Sequence, residues 1–575
     1  MDINQFIVLG IFFSTIAALV FSNQRPSAVF SFATLLLLVS GQLSLDGVLH
    51  NLTNKGLITL VLLLLVSSAV DKTALVKRLG RKLVTASFST SYWKLFGLTF
   101  TSSALLNNTA VVAALIGPVK QNQHHPASRL LIPLSYSAIL GGTVTLIGTS
   151  TNLIVDSFMQ EHGHPGFNFW DFTLYGLIAG LACGLLLFML SGLLPEIENK
   201  RDNYRAYMVE ADVEAGSELI GKTVEENHLR NLPELFLLEI VRSGQLISPV
   251  TPDMMIMEGD KLIFSGNVQK LDSLSHIRGL TTFAEADGIM HKNLTEVLVA
   301  NRAQIINQTI KALGFRALFD AAVVAIRRDG EQLSGKLGDI RLKAGDFLLL
   351  AVGPDFASRK NVAKNFFVLS EQEIARPLSL SQEWITLGGF LLTVALAALS
   401  VVPLPVGLLF FAAGLLLFNV SSNGEMKRNL PLNLIVVIVG ALSLATALES
   451  SGVIALTTGL MKPYLADTDW LLALIIVYVS TLLLTEFVTN NAAAALMFPF
   501  AYGLTGMLQA PLMPFALAVA FAASASFISP FGYQTNLLVY NAVNYRFSHF
   551  ARVGLPVSLL YSTIVLTLLN MTYLS

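Results

Sequence analysis

Charge and cysteine are both scarce in this 575-residue chain. Asp, Glu, Lys and Arg make up 13% of it, about half the share of an ordinary soluble domain, so a mainly soluble protein is excluded. The single cysteine, Cys183, cannot form an intrachain disulfide, and its apolar surroundings mark it as a buried structural thiol. The 37 basic and 38 acidic residues nearly cancel to a net charge of -1, which argues against nucleic acid as a partner. No GxGxxG or GxxxxGK[ST] pattern opens a helix, so a nucleotide-binding Rossmann domain or an ATPase engine is not expected. His124-His125 and His162/His164 have no Cys or carboxylate partners at zinc spacing and read as solvated loops.

What fills the chain is apolar. It is 53% hydrophobic with a mean hydropathy of +0.64. Uncharged runs long enough for a hydrocarbon core of about 30 Å cover Ile3 to Gln24, Phe172 to Pro195, Trp384 to Asn423 around a Pro403-Leu404-Pro405 turn, and Gly554 to Ser575. Shorter runs are Pro26 to Leu45, Gly56 to Val70 and Leu430 to Leu448. The first run has no basic start and no small-residue cleavage site, so it reads as a retained span. Nearly two thirds of all charged residues fall between Glu196 and Arg376. That stretch reads as a soluble insert with about 200 residues on either side.

The two apolar flanks repeat a polar motif. The first carries Ser103-Ala104-Leu105-Leu106-Asn107-Asn108-Thr109 and then Gly148-Thr149-Ser150-Thr151-Asn152. The second carries Thr485-Glu486-Phe487-Val488-Thr489-Asn490-Asn491 and then Gly532-Tyr533-Gln534-Thr535-Asn536. Hydroxyls, Asn amides and Gly at membrane depth are costly unless they line a cavity or coordinate something, and matched interruptions in two halves point to a binding site at a repeat interface. Glu486 is an intramembrane carboxylate, either a proton carrier or a residue that holds the hairpin.

Basic residues set the orientation. Lys72, Lys77, Arg78, Arg81 and Lys82 follow the third run, Lys120 and Arg129 follow the first motif, and Lys427, Arg428, Arg546 and Arg552 mark later loops, whereas the loop from Asp156 to Asp171 has none. Placing basic loops in the cytoplasm makes Ser91 to Val119 a re-entrant hairpin with Asn107-Asn108-Thr109 at its tip. About five full spans then remain in the first half. An odd number turns the second half over, so its hairpin around Thr489-Asn490-Asn491 opens outside, near Asp467 and Asp469. The expected fold is an α-helical polytopic membrane protein of two inverted repeats, in a plasma (inner) membrane with the insert cytoplasmic.

The insert has a duplication of its own. Leu219-Ile220-Gly221-Lys222-Thr223-Val224 matches Ile305-Ile306-Asn307-Gln308-Thr309-Ile310, Arg230 matches Arg316, Arg242 matches Arg328, and Gly259-Asp260 matches Gly345-Asp346, each 86 positions apart. β-branched segments that lead into Gly turns predict two small α/β units. The expected division is 1–198 first transmembrane repeat, 199–285 and 286–372 the two inserted units, and 373–575 second transmembrane repeat.

On these motifs the chain resembles the divalent anion/sodium symporter family. The Asn-rich tips, Gly142-Thr143-Val144-Thr145-Leu146-Ile147-Gly148-Thr149 and the stretch Thr489 to Pro499 carry the likeness, and the inserted pair resembles TrkA-C domains. Relatives with such insertions and a Gly-Tyr-Gln-Thr-Asn segment are similar to sulfate permeases. The resemblance implies two sodium sites, Ser103, Asn107, Asn108 and the Gly148 carbonyl for one, and Thr485, Thr489, Asn490 and the Gly532 carbonyl for the other. It places the anion between the tips, against Asn108, Thr109, Thr149, Asn490, Asn491 and Tyr533. It further implies a homodimer and a small-molecule regulator of the TrkA-C-like pair. The sequence departs from the family pattern where Asn107 replaces Ser, Asn491 replaces Thr, and Ser150-Thr151 and Gln534-Thr535 replace Pro pairs.

The chemistry of the residues points the same way. Sodium takes about five or six oxygen ligands, as other hard cations do, and hydroxyls, Asn carbonyls and freed backbone carbonyls supply them. Neither motif contains Lys or Arg, so a dianion would rest on co-transported sodium and helix N-termini. The expectation is a sodium-coupled symporter of a small divalent anion, sulfate foremost, and not an enzyme. The alternatives are a dicarboxylate symporter, a proton- or sodium-coupled antiporter, and a regulated channel or anion sensor.

Overall fold

The computed structural model describes residues 2–197 except 23, 74, 81 and 82; residues 208–368 except 230–234, 243–244, 248–249, 267–279, 284–293, 301–302, 329–330, 334–336, 353–354, 357–358 and 360; and residues 378–573 except 458, 460–469 and 544. Arg81, Lys82, Arg230, Asp467, Asp469 and the expected boundaries at 198/199, 285/286 and 372/373 lie outside the described residues.

The first flank folds into α1 (Ile3–Phe21), α2 (Pro26–Val39), α3 (Leu45–Leu52), α4 (Lys55–Val70), α5 (Leu75–Gly80), α6 (Phe88–Ser103), α7 (Asn108–Lys120), α8 (Leu131–Gly142), α9 (Ser150–Glu161) and α10 (Thr173–Leu190). Local chemistry explains the starts. Asp2 and Gln5 form a capping box before α1, Pro26 occupies the first turn of α2, and the Asn54 side chain accepts from Gly56 and Leu57 at the start of α4. The run Pro26 to Leu45 is shorter as a helix than as a sequence, because Gly41 takes a positive φ of 71° and ends the segment in a turn.

The insert is two five-stranded antiparallel sheets. The first is built from β1 (Met208–Val213), β2 (Leu235–Arg242), β3 (Gln245–Ile247), β4 (Lys261–Gly266) and β5 (Leu280–Phe283), in the order β3-β2-β4-β1-β5. The second uses β6 (Leu294–Val299), β7 (Ala321–Arg328), β8 (Glu331–Gln332), β9 (Phe347–Val352) and β10 (Phe366–Val368), in the order β10-β6-β9-β7-β8, with α11 (Phe315–Phe319) and α12 (Val362–Asn365) beside it. Strands β1, β2 and β4 recur as β6, β7 and β9, 86 residues later at both ends, and the bulge at Leu237/Glu239 recurs at Val323/Ala325. Each sheet buries one aspartate under an arginine. Arg242 holds Asp260 and Arg328 holds Asp346 through two short bonds each. The sheets meet through Ile263, Ala322, Val324, Leu349 and Ala351, and Arg316 donates to the Val250 carbonyl at 2.7 Å.

The second flank has a similar order of helices. It forms α13 (Leu380–Ala398), α14 (Leu404–Leu417), α15 (Asn423–Asn429), α16 (Leu432–Ser450), α17 (Trp470–Phe487), α18 (Asn490–Leu508), α19 (Leu512–Ser524), α20 (Gln534–Ala542) and α21 (Phe547–Tyr573). Packing between the halves is reciprocal. Helix α2 lies on α16 as α14 lies on α4; α7 meets α20 as α18 meets α9; α8 meets α20 as α19 meets α9; and α10 pairs with its counterpart α21.

Seven of the described helices are long and apolar enough to cross a membrane, and the bent pair α3–α4 makes an eighth. Large apolar side chains point outward along α1, α2, α13 and α14, among them Phe13, Phe32, Leu392 and Phe410, each more than half exposed. Such a belt is stable against lipid and not against water. The chain is a multi-pass membrane protein.

Candidate functional site

The first hairpin is α6 and α7 joined by a tight turn. Asn107 starts α7 as its cap, its Oδ1 accepting from the Thr109 amide at 2.9 Å. Its side chain therefore caps the helix start and lies exposed. Ser103, on the last turn of α6, and Asn108, on the first of α7, behave differently. Both are buried, and Ser103 Oγ and Asn108 Oδ1 have no hydrogen-bond partner among the described residues. Asn108 is seated on Gly142, where a Cβ would collide with its amide, and Gly148 in turn rests on the Gly142 carbonyl. Asn108 and Gly148 are thus brought to one place.

The second hairpin, α17 and α18, satisfies itself. Thr485 Oγ1 donates to Asn490 Oδ1 at 3.0 Å and lies 2.7 Å from the Ala523 carbonyl, while Gly532 packs on Ser526 and on the Thr485 carbonyl. Thr485, Asn490 and Gly532 are thus brought together. Thr489 is exposed at the start of α18 and its side chain makes no capping bond, so it stands outside this group.

Glu486 is an anchor. Its carboxylate accepts from the Ile528 amide at 3.0 Å, the Ser529 amide at 2.9 Å and Ser526 Oγ at 3.2 Å. The two amides are backbone donors freed by the interruption between α19 and α20, which carries Pro530 and Gly532. The first half makes the corresponding contact without a charge: Thr145 Oγ1 donates to the Ala104 carbonyl, across the interruption between α8 and α9. Each interruption is also tied by its own asparagine, Asn152 Nδ2 to the Thr145 carbonyl at 3.0 Å and Asn536 Nδ2 to the Ser526 carbonyl at 2.9 Å.

The two halves then join at their tips. Asn108 Nδ2 donates to the Tyr533 hydroxyl at 2.8 Å, and that oxygen lies 3.4 Å from Thr149 Oγ1. Thr109 Oγ1 donates to Gln534 Oε1 at 3.2 Å, and Ser150 Oγ donates to Asn491 Oδ1 at 2.9 Å. The last two are one contact made twice, because Thr109 and Asn491 hold the same place in the two tips and Gln534 and Ser150 the same place after the two interruptions. Gln534 and Ser150 were not singled out as site residues in the sequence. Their signal was adjacency to Tyr533 and Thr149 in the duplicated segment.

The bonds connect the first residues of α7, α9, α18 and α20. Four helix N-termini therefore converge on a cluster of hydroxyls and amides that contains no Lys or Arg. Oriented N–H groups favour an anion there, and unpaired buried oxygens favour a cation beside it. Among the described residues no cluster of three His, Cys, Asp or Glu side chains is present. His162 departs from the expected solvated loop. Its ring is nearly buried, Nδ1 lies 2.7 Å from the Phe158 carbonyl and Nε2 lies 2.7 Å from Glu449 on α16. Cys183 is buried, in keeping with a structural thiol.

Comparison with known proteins places this architecture. The chain is 30% identical over 564 residues to an uncharacterised transporter of Synechocystis sp., an alignment that covers 93% of this chain and 90% of the relative. It is 30% identical over 559 residues to a putative sulfur deprivation response regulator of Chlamydomonas reinhardtii, covering 91% and 94%. A probable sodium/sulfate cotransporter of the same alga is 29% identical over 372 residues, 61% of this chain and 41% of the relative. The family model described as citrate transporter matches residues 16–520. With that match across most of both halves, the chain belongs to the citrate transporter family.

Proposed function

We propose that the protein is a sodium-coupled symporter of a small divalent anion, with sulfate as the favoured substrate, and that its two halves are inverted repeats working by alternating access. The observation that carries the reading is the pair of reciprocal cross-half bonds at the tips, beside the unpartnered oxygens of Ser103 and Asn108. In this reading Ser103 Oγ, Asn108 Oδ1 and the Gly148 carbonyl ligate one sodium ion, and Thr485, Asn490 and the Gly532 carbonyl the other. Asn107 and Thr489 fall away as side-chain ligands. The anion sits between the tips on Thr109, Thr149, Asn491, Tyr533 and the amides of Asn108 and Asn490, its charge offset by the bound cations and the helix N-termini. Moving one half relative to the other breaks the tip pairs on one side and exposes the site there.

The reading keeps the expected cytoplasmic placement of the insert, its likeness to TrkA-C domains, the four-part division of the chain and a homodimer. Sulfate is supported by the sodium/sulfate cotransporters among the relatives. A dicarboxylate or citrate is the second reading, favoured by the family description. Binding of radiolabelled sulfate to the purified protein separates them. The expected result is binding in sodium, none in potassium, and weak competition by citrate. Displacement of sulfate by citrate at far lower concentration moves the substrate to the second reading. Binding that ignores sodium overturns the coupling.

A further inference from the structure

The two sheets of the insert share strand order, register and bulge, yet they differ in what they touch. The second sheet is docked on the ends of α7 and α20 that lie away from the tips. Lys120, the last residue of α7, pairs with Glu296 at 2.8 Å, with both side chains only 17% exposed. Two cations lie over the Phe347 ring, Lys120 Nζ at 5.1 Å and the Arg327 guanidinium at 4.3 Å from its centre. Arg327 also donates to the Asn541 carbonyl on the last turn of α20 at 3.2 Å, and Asn541 Nδ2 donates back to the Gly345 carbonyl at 2.6 Å. Leu298 and Phe347 are buried in the same apolar core as the membrane helices.

The first sheet has the same strand order and keeps Glu210 and Gly259 where the second has Glu296 and Gly345, but it lacks the rest of this surface. Counting back 86 positions, Leu298 becomes Asp212, Phe347 becomes Lys261 and Arg327 becomes Val241. The docking chemistry is therefore carried by side chains on one copy and is not a consequence of the fold. Its placement has a physical logic as well. α7 and α20 expose unsatisfied carbonyls at their C-termini, where a cation is stabilising, and Lys120 and Arg327 supply one to each. The other ends of these two helices carry Asn108-Thr109 and Gln534, which bond across the halves. Among the described residues the first sheet meets the second by the apolar sheet-to-sheet contact and Arg316.

We propose that the second inserted unit is a clamp that holds α7 and α20 together in the arrangement in which the tip pairs are closed, so that the state of the insert regulates opening of the site. The inference rests on the assignment of the tips as the substrate site, and its labelling test is independent of substrate. In a Cys183→Ala background, Ser103→Cys, buried in the closed arrangement and outside the tip pairs, reports opening through its rate of labelling by a water-soluble maleimide. Phe347→Lys with Leu298→Asp imports the first unit's residues at the equivalent positions of β9 and β6 and undocks the clamp. Labelling then accelerates by about threefold or more as the closed population falls. Lys120→Glu alone does the same, and adding Glu296→Lys restores the parental rate. Separately, Lys120→Cys with Glu296→Cys, joined by a short bis-maleimide, stops sulfate uptake while sulfate binding persists. Unchanged labelling in the undocked variants, or undiminished uptake in the crosslinked protein, overturns the clamp. Absence of sulfate binding to the parent protein overturns the site assignment and leaves the labelling result to judge the clamp.

Discussion

The two hairpin tips are built from one motif and finish it differently. In the second tip Thr485 and Asn490 bond to each other, and Glu486 gathers three donors from the neighbouring interruption. In the first tip Ser103 Oγ and Asn108 Oδ1 stay unpaired although buried, and an uncharged Thr145–Ala104 bond replaces the carboxylate. A buried polar oxygen without a partner costs about 1–3 kcal/mol, so it is retained where something else supplies the partner. The difference teaches that duplication preserves the positions while the internal bonding of each copy decides how ready its oxygens are for a ligand.

Asn108→Ala and Asn490→Ala test that difference with the largest expected effect. Asn108→Ala removes the unpaired oxygen and the bond to Tyr533, a loss of about 1.5–3 kcal/mol that raises the half-saturating sodium concentration roughly ten- to hundred-fold. Asn490→Ala leaves Thr485 its bond to the Ala523 carbonyl and should raise it by about tenfold or less. Sodium activation curves of sulfate uptake check both. A larger effect at Asn490 would reverse the ranking of the tips, and wild-type curves in both variants would return the asparagines to interhelical packing.

Glu486→Gln comes next. The amide keeps the shape but loses the charge that two backbone donors and Ser526 share, so thermal stability in detergent should fall by about 1.5–3 kcal/mol. Coupling to sodium should persist, since the carboxylate is committed to the backbone. A variant of normal stability whose uptake no longer responds to a proton gradient would make Glu486 a proton carrier and give the second half a role the first lacks.

The cross-half pairs carry the smallest measurable effect. Thr109→Val with Gln534→Ala, and Ser150→Ala with Asn491→Ala, form two double-mutant cycles, each expected to show a coupling of about 0.5–1.5 kcal/mol in sulfate affinity. Unequal couplings would sharpen the contrast between the tips. Gln123→Ala, on an exposed turn, should change nothing.

How far the sequence announces this follows from what repeats. The meeting of Asn108 with Gly148, and of Thr485 with Asn490 and Gly532, was legible because hydroxyls, Asn and Gly that recur at one place in two apolar halves need a reason. Asn107 looked identical to Asn108, yet the residue preceding a helix start competes for the first free amides, and that competition is decided by the backbone. The Asn108–Tyr533 bond links residues more than four hundred positions apart, so only the packing of the halves reveals it. His162 seemed a loop residue because its partner, Glu449, lies on a helix of the other half. The 86-residue repeat of the insert was plain in its Gly-Asp and Arg pairs. Its docking was written there too, in Phe347 against Lys261 and Leu298 against Asp212, as a difference within the repeat.

Uptake of radiolabelled sulfate into proteoliposomes tests the central claim most directly. With sodium outside and potassium inside, sulfate should accumulate above its external concentration, and replacing sodium by choline should reduce uptake to the level of empty liposomes. Equal accumulation in choline, driven instead by an imposed proton gradient, would contradict sodium coupling at the two tips.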